Sequence, residues 1–180
     1  MSSVFDSGVC NNTPSPVDDS SAGARWQPCG ARHVAVYGTL RAGGINDMAR
    51  LRTGLRGVGR TQLTGSLYDL GWYPGLRLEG TQSVLAEVYE LDDALEQQLD
   101  GIEGLWPVDL GEYTKRILTV PVALTGGGMR EMAVLVYEAL PATVGQAPQI
   151  EACDWLAWFE RKGMQHPDTA FQLNTLQNRK

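Results

Sequence analysis

Two carboxylates three residues apart, Asp100 and Glu103, are the side chains whose type and spacing point most directly to proton chemistry. That spacing puts them on one helix face, near a C-terminus where unpaired carbonyls and the negative dipole end disfavour a second negative charge. An acid held there tends toward a raised pKa and can exchange a proton near neutral pH. The plainer reading of DGIEG is a solvated carboxylate pair beside a helix cap. A second feature is Val34 to Arg41, VAVYGTLR, where a short apolar, β-favouring run meets Gly38. The residues beyond it, Arg41, Gly43, Gly44 and Asn46, are small or polar, so backbone N–H groups are free to converge on an anion such as a ligand carboxylate. An ordinary glycine turn is the plainer reading here too. Neither GxxxxGK[ST] nor GxGxxG is present, which removes the phosphate-loop reading. Glu87 is a third candidate: it sits among apolar neighbours in VLAEVYEL, where an acid needs a partner or a function. Cys10, Cys29 and Cys153 are scattered, form no CxxC pair, and have only His33 and His166 to assist them. Neither a structural disulfide nor a metal site is expected.

The chain that must position these groups has 180 residues, a hydrophobic fraction of 43% and a formal charge of −6. That suits one domain with a filled core. The negative balance and the lack of a basic stripe exclude a nucleic-acid backbone as partner. No run approaches the roughly 20 apolar residues of a membrane span, and the N-terminus lacks the pattern of a secretory signal. A cytoplasmic protein is expected, with no membrane partner.

Residues 1–32 are rich in Ser, Asp, Asn, Gly and Pro and read as a flexible leader. The domain is expected over 33–165, with a polar tail at 166–180. Ile45, Met48, Leu51 and Leu55 predict a short helix closed by Gly57 or Gly59. Thr61 to Leu70 reads as a strand whose Gly65 marks a bulge. Pro74 and Gly75 make a turn, and Trp72 and Tyr73 beside it are expected to cap the core rather than shield a pocket. Val84 to Leu91 alternates as a strand. Leu91, Leu95, Leu99 and Ile102 predict a helix that starts at Asp92 and Asp93 and ends at Gly104. Strands over 112–122 and 132–140 form a hairpin across Gly126, Gly127 and Gly128. From Ile150 to Lys162, an apolar stripe of Ile150, Cys153, Leu156 and Phe159 predicts a docked helix flanked by Trp155 and Trp158.

The order of these pieces resembles the γ-glutamylcyclotransferase-like family, which includes γ-glutamylamine cyclotransferases and AIG2-like proteins. The matching segments are YGTLR at 37–41 with Gly43 and Asn46, GSLYDLGWYPGL at 65–76, VLAEVYEL at 84–91, LDGIEG at 99–104, Tyr113 to Arg116, and IEACDW at 150–155. Asp47, Ala86 and Cys153 depart from the residues usual in the family. The resemblance implies a mixed α/β domain whose five to seven strands curl into a small barrel with helices outside. It implies a cyclisation of a small-molecule γ-glutamyl amide to 5-oxoproline, in which the substrate supplies its own nucleophile. Glu103 takes the place of the family's catalytic glutamate as general acid and base. Tyr37, Gly38, Thr39, Leu40 and Tyr113 are expected to line the substrate pocket, and no cofactor is implied. Capture of a γ-glutamyl or amino-acid ligand without turnover is the other reading, against which the retained Glu103 speaks.

Overall fold

The computed structural model describes residues 25–163. Six strands alternate with four short helices: β1 (His33–Val36), α1 (Met48–Leu51), β2 (Gly57–Asp69), β3 (Pro74–Glu90), α2 (Asp93–Ile102), β4 (Tyr113–Leu124), β5 (Met129–Ala139), α3 (Pro141–Val144), β6 (Gln149–Ile150) and α4 (Trp155–Arg161). The sheet runs β3-β1-β5-β4-β2-β6, and β2 also pairs with β3, so five strands close into a barrel with β6 appended to β2. β1 lies parallel to β5 and antiparallel to β3, which makes the barrel mixed. The expected curled barrel with helices outside is what the chain forms.

β1 explains its apolar sequence by burial on both sides. Val34 and Val36 face the cluster that holds Leu95 and Leu99 of α2. Ala35, with Tyr37 beyond the strand, faces the other cluster, which draws on β2, β3, β4 and β5 and includes Trp155 and Phe159. Replacing Leu99, fully buried under the sheet, by Ala costs about 2–5 kcal/mol through lost burial and the cavity left behind. The bulge expected at Gly65 is present, as a register shift between Gly65 and Ser66 against β3. A side chain at Gly65 would meet the Arg77 carbonyl at 2.3 Å, which is why the close strand approach needs glycine there.

Several sequence expectations need correction. The helix expected from Ile45 is a single turn, Met48–Leu51, capped by the Asp47 carboxylate on the Ala49 N–H. Gly57 and Gly59 lie inside β2 instead of ending a helix. Most of Ile45's neighbourhood is spent on turns, with Gly44, Asn46 and Asp47 donating to Arg41, Thr39 and Gly44 carbonyls. Pro74 opens the long strand β3 rather than a turn, and Trp72 and Tyr73 are exposed at the hairpin tip, so they do not cap the core. The last helix begins only at Trp155, after the Asp154 cap, because Ile150 pairs with Leu67 in β6. Trp155 and Phe159, one turn apart with ring centroids at 4.9 Å, form its buried face, whereas Cys153 is exposed. Ordered contacts also begin before His33: the Trp26 indole N–H donates to Asp100 and the Cys29 backbone N–H to Glu96. That end of the expected leader is docked, since the buried acids of α2 draw on its donors. The rest of the leader, residues 1–24, and the expected tail lie outside the described residues.

Candidate active site

Glu103 stands where α2 ends. Its N–H still closes on the Leu99 carbonyl at 2.8 Å, and Gly104 follows in the left-handed region at φ +70. The Leu105 N–H then returns to the Asp100 carbonyl at 2.7 Å, the bond pattern of a glycine-terminated helix. The Glu-Gly pair is therefore a geometric unit: only glycine takes that backbone turn without strain, and the turn fixes where the preceding carboxylate projects.

That carboxylate is half-buried, and no hydrogen-bond donor reaches it among the described residues. Desolvation, helped by the negative charges of Asp100 and Glu112, pushes its pKa up to about 7. Three phenols surround it. Burial raises Tyr37, Tyr113 and Tyr137 well above the ordinary tyrosine value, and the charge of Glu103 adds to the shift of each. All three stay protonated at neutral pH, and their hydroxyls are engaged: Tyr37 donates to the Tyr137 carbonyl at 2.8 Å, Tyr113 to the Pro74 carbonyl at 3.2 Å, and Tyr137 to Asp100 at 2.8 Å. They form a fixed wall rather than a set of bases.

The other candidate residues extend from Tyr37. Gly38 accepts from the Arg41 N–H at 3.1 Å, which makes 38–41 a β-turn with Thr39 and Leu40 at its centre. The turn and loop use the N–H groups of Arg41, Ala42, Gly43 and Gly44 and leave those of Thr39 and Leu40 without a backbone partner among the described residues. The Leu40 side chain is buried with Met48, which leaves its backbone as the part that can serve a ligand. Gly38 is also packed closely: a side chain there would come within 2.7 Å of the Pro74 ring. Tyr37, Tyr113 and Glu103 are thus brought together, with Gly38 packed on the same Pro74 whose carbonyl holds Tyr113.

Glu87 has a structural partner. Its carboxylate accepts from the Ala42 N–H at 2.8 Å and the Tyr89 hydroxyl at 2.9 Å and faces Arg41 at 3.4 Å, while Arg41 also donates to Asp154 at 2.7 Å. Asp100, paired with Glu103 in the sequence reading, is not solvated either. It is buried and receives Lys115, Tyr137 and Trp26. Lys115, Glu96 and Glu112 were not singled out from the sequence; Glu96 was within reach, being one helical turn before Asp100 on the same face. Glu112 also lines a cleft of about 580 Å³ with Asp69, Tyr73, Gly111 and Thr143. Among the described residues no group of three or more His, Cys, Asp or Glu side chains is placed to hold a metal ion, and no helix is long and apolar enough to cross a membrane.

The sequence profile of the family described as "Gamma-glutamyl cyclotransferase, AIG2-like" matches residues 34–157. A curated Vibrio cholerae protein named "Putative gamma-glutamylcyclotransferase" is 44% identical over 88 residues, which cover 49% of this chain and 72% of that protein. The crystal structure of an AIG2-like protein from Mus musculus is similar in fold, with a TM-score of 0.52 and 26% identity over 69% of this chain and 88% of that one. The matched residues begin just after His33 and contain the barrel, the turn at Gly38 and the helix end at Glu103.

Proposed function

The chain belongs to the γ-glutamyl cyclotransferase, AIG2-like family, and on that premise we propose that it cyclises a γ-glutamyl amide to 5-oxoproline with Glu103 as general acid and base. The observation that carries this reading is the state of Glu103: a half-buried carboxyl without a bound donor, raised to about 7 and set among protonated phenols. A group with that pKa is divided between its two forms near neutral pH, as a base that must later act as an acid requires.

The reaction consumes no water and no enzyme nucleophile. Glu103, ionised, takes a proton from the substrate's α-ammonium. The freed amine attacks the γ-carbonyl carbon, closing the five-membered ring and leaving a tetrahedral oxyanion. Collapse breaks the bond to the attached nitrogen, which departs with the proton returned by Glu103, as amine or amino acid. The central N–H groups of Thr39 and Leu40 supply donors for the oxyanion or the substrate carboxylate. Tyr37 and Tyr113 keep the glutamyl chain folded, so that amine and carbonyl meet as an intramolecular pair.

Incubation with a panel of γ-glutamyl amines, γ-glutamyl dipeptides and glutathione tests this. The expected result is 5-oxoproline and free amine in equal amounts from at least one member. Saturable binding across the panel without product would favour ligand capture instead.

A further inference from the structure

Outside the residues matched to the family, one short segment reaches the helix that carries Glu103. Glu96 and Asp100, one turn apart on α2, are almost wholly buried, and both face one cation, Lys115 of β4, at 2.7 and 2.8 Å. Two buried carboxylates against one ammonium leave a surplus negative charge that only further donors can hold. Three neutral groups supply them. The Tyr137 hydroxyl donates to Asp100 Oδ1, the Trp26 Nε1–H to Asp100 Oδ2 at 2.8 Å, and the Cys29 N–H to Glu96 at 2.8 Å. Two of the three thus come from the chain before β1. The Trp26 ring also covers Lys115, with Nζ 5.8 Å from its centroid. The Arg32 carbonyl, accepting from the Leu91 N–H at 2.9 Å, ties the segment down where α2 is about to begin.

We propose that residues 26–32 are a positioning strap for Glu103: by donating to Asp100 and Glu96 and covering Lys115, they hold the Asp100 side chain fixed and dry one turn ahead of the candidate acid–base group. This rests on the reading of Glu103 given above. Asp100 is faced by Trp26, Lys115, Tyr137 and Glu96; Glu103 is faced by Asp100 and Glu112 and by the phenols of Tyr37, Tyr113 and Tyr137. With the strap lifted, water enters beside Asp100 and screens its charge. That weakens the repulsion felt by Glu103 and lowers its pKa. Trp26 touches no reacting atom, so its part is positioning.

The test is a pH titration by NMR of the full chain carrying ¹³C-labelled glutamate side-chain carboxyls, with the Glu103 signal assigned by its loss in Glu103→Gln. In Trp26→Ala the Glu103 midpoint should fall by about half a unit or more, and in Trp26→Phe, which keeps the cover and loses the N–H, it should lie between that value and wild type. The acid limb of kcat/KM should move to lower pH in step. An unchanged midpoint in Trp26→Ala overturns the proposal, even if the thermal midpoint drops, because the strap would then be cover alone. Should Trp26→Ala fail to fold, Trp26→Phe decides on the same criterion. If wild type makes no 5-oxoproline, the functional reading falls, while the titration still judges the strap.

Discussion

Arg41 donates to Asp154 at 2.7 Å across 113 positions of chain, joining the turn after β1 to the cap of α4. On its other side Arg41 faces Glu87 of β3 at 3.4 Å, so three separate sequence segments meet at one guanidinium. Its Nε is buried without a hydrogen bond, and the attraction to Glu87 is what compensates it. Arg41→Leu should therefore cost about 3–5 kcal/mol, the penalty for leaving a buried acid unpaired. The lower end is expected, because the Ala42 N–H and Tyr89 hydroxyl still donate to Glu87. Urea unfolding of the variant measures it; a loss under about 1 kcal/mol would mean the cluster is replaceable by apolar packing.

Acid should weaken this cluster and the one around Glu138. Burial raises the Asp154 pKa, but Arg41 and the Ala157 N–H outweigh it, so the folded value lies below the ordinary 3.8. Glu138 likewise, with burial outweighed by Arg116, the Leu78 N–H and Arg77, lies below 4.5. A depressed folded pKa contributes stability that is present above the unfolded value and lost as pH falls through the folded one. Thermal midpoints should accordingly drop below pH 4 to 5, and Asp154→Asn should flatten part of that drop.

Glu103 contributes with the opposite sign. Its folded pKa of about 7 exceeds the ordinary 4.5, so the folded state holds the proton more tightly and loses stability as pH rises between these values. Glu103→Gln should be more stable than wild type at pH 8, by roughly 1–3 kcal/mol, and indistinguishable from it at pH 4. Chemical denaturation at the two pH values reads this directly; equal stabilities at pH 8 would place the Glu103 carboxyl in contact with water.

The packing of Gly38 on Pro74 changes what a substitution there means. From the sequence, Gly38→Val is expected to harm ligand approach more than stability. With the Pro74 ring 2.7 Å from the position of a Cβ, it should also destabilise by about 1–3 kcal/mol through forced displacement. A denaturant midpoint equal to wild type would show that the turn yields freely.

The barrel and the helix end were legible because local pattern and tertiary role coincide in them. The apolar run of β1, the bulge at Gly65 and the Leu95–Leu99 face of α2 each carry their structural reason in adjacent residues. What was not legible depends on distant partners. Ile45 to Leu55 has helical spacing, but turn bonds from Gly44, Asn46 and Asp47 consume the chain before a helix can extend. Trp26 looked like part of a polar leader because its partner, Asp100, lies 74 positions away. Asp100 looked solvated for the same reason: nothing in DGIEG announces Lys115 and Tyr137 on two other strands.

Asp100→Asn separates the two acids of that helix end. It removes a negative charge that raises Glu103, so the acid limb of activity should move to lower pH while kcat on the plateau falls far less than on loss of Glu103. It should also destabilise, since Lys115 loses one of its two carboxylate partners and keeps Glu96. A pH–rate profile and a thermal melt check both; a plateau loss larger than that of Glu103→Gln would exchange the roles of the two carboxyls.

The central claim, that Glu103 moves the proton, is tested most directly by single-turnover and steady-state formation of 5-oxoproline from a confirmed γ-glutamyl substrate, in wild type and Glu103→Gln. The amide keeps the size of the side chain and cannot take up the α-ammonium proton. The account predicts a fall in kcat by a factor on the order of 10²–10⁴ with substrate affinity little changed, the range that general acid–base catalysis supplies. Turnover by Glu103→Gln at the wild-type rate would contradict it.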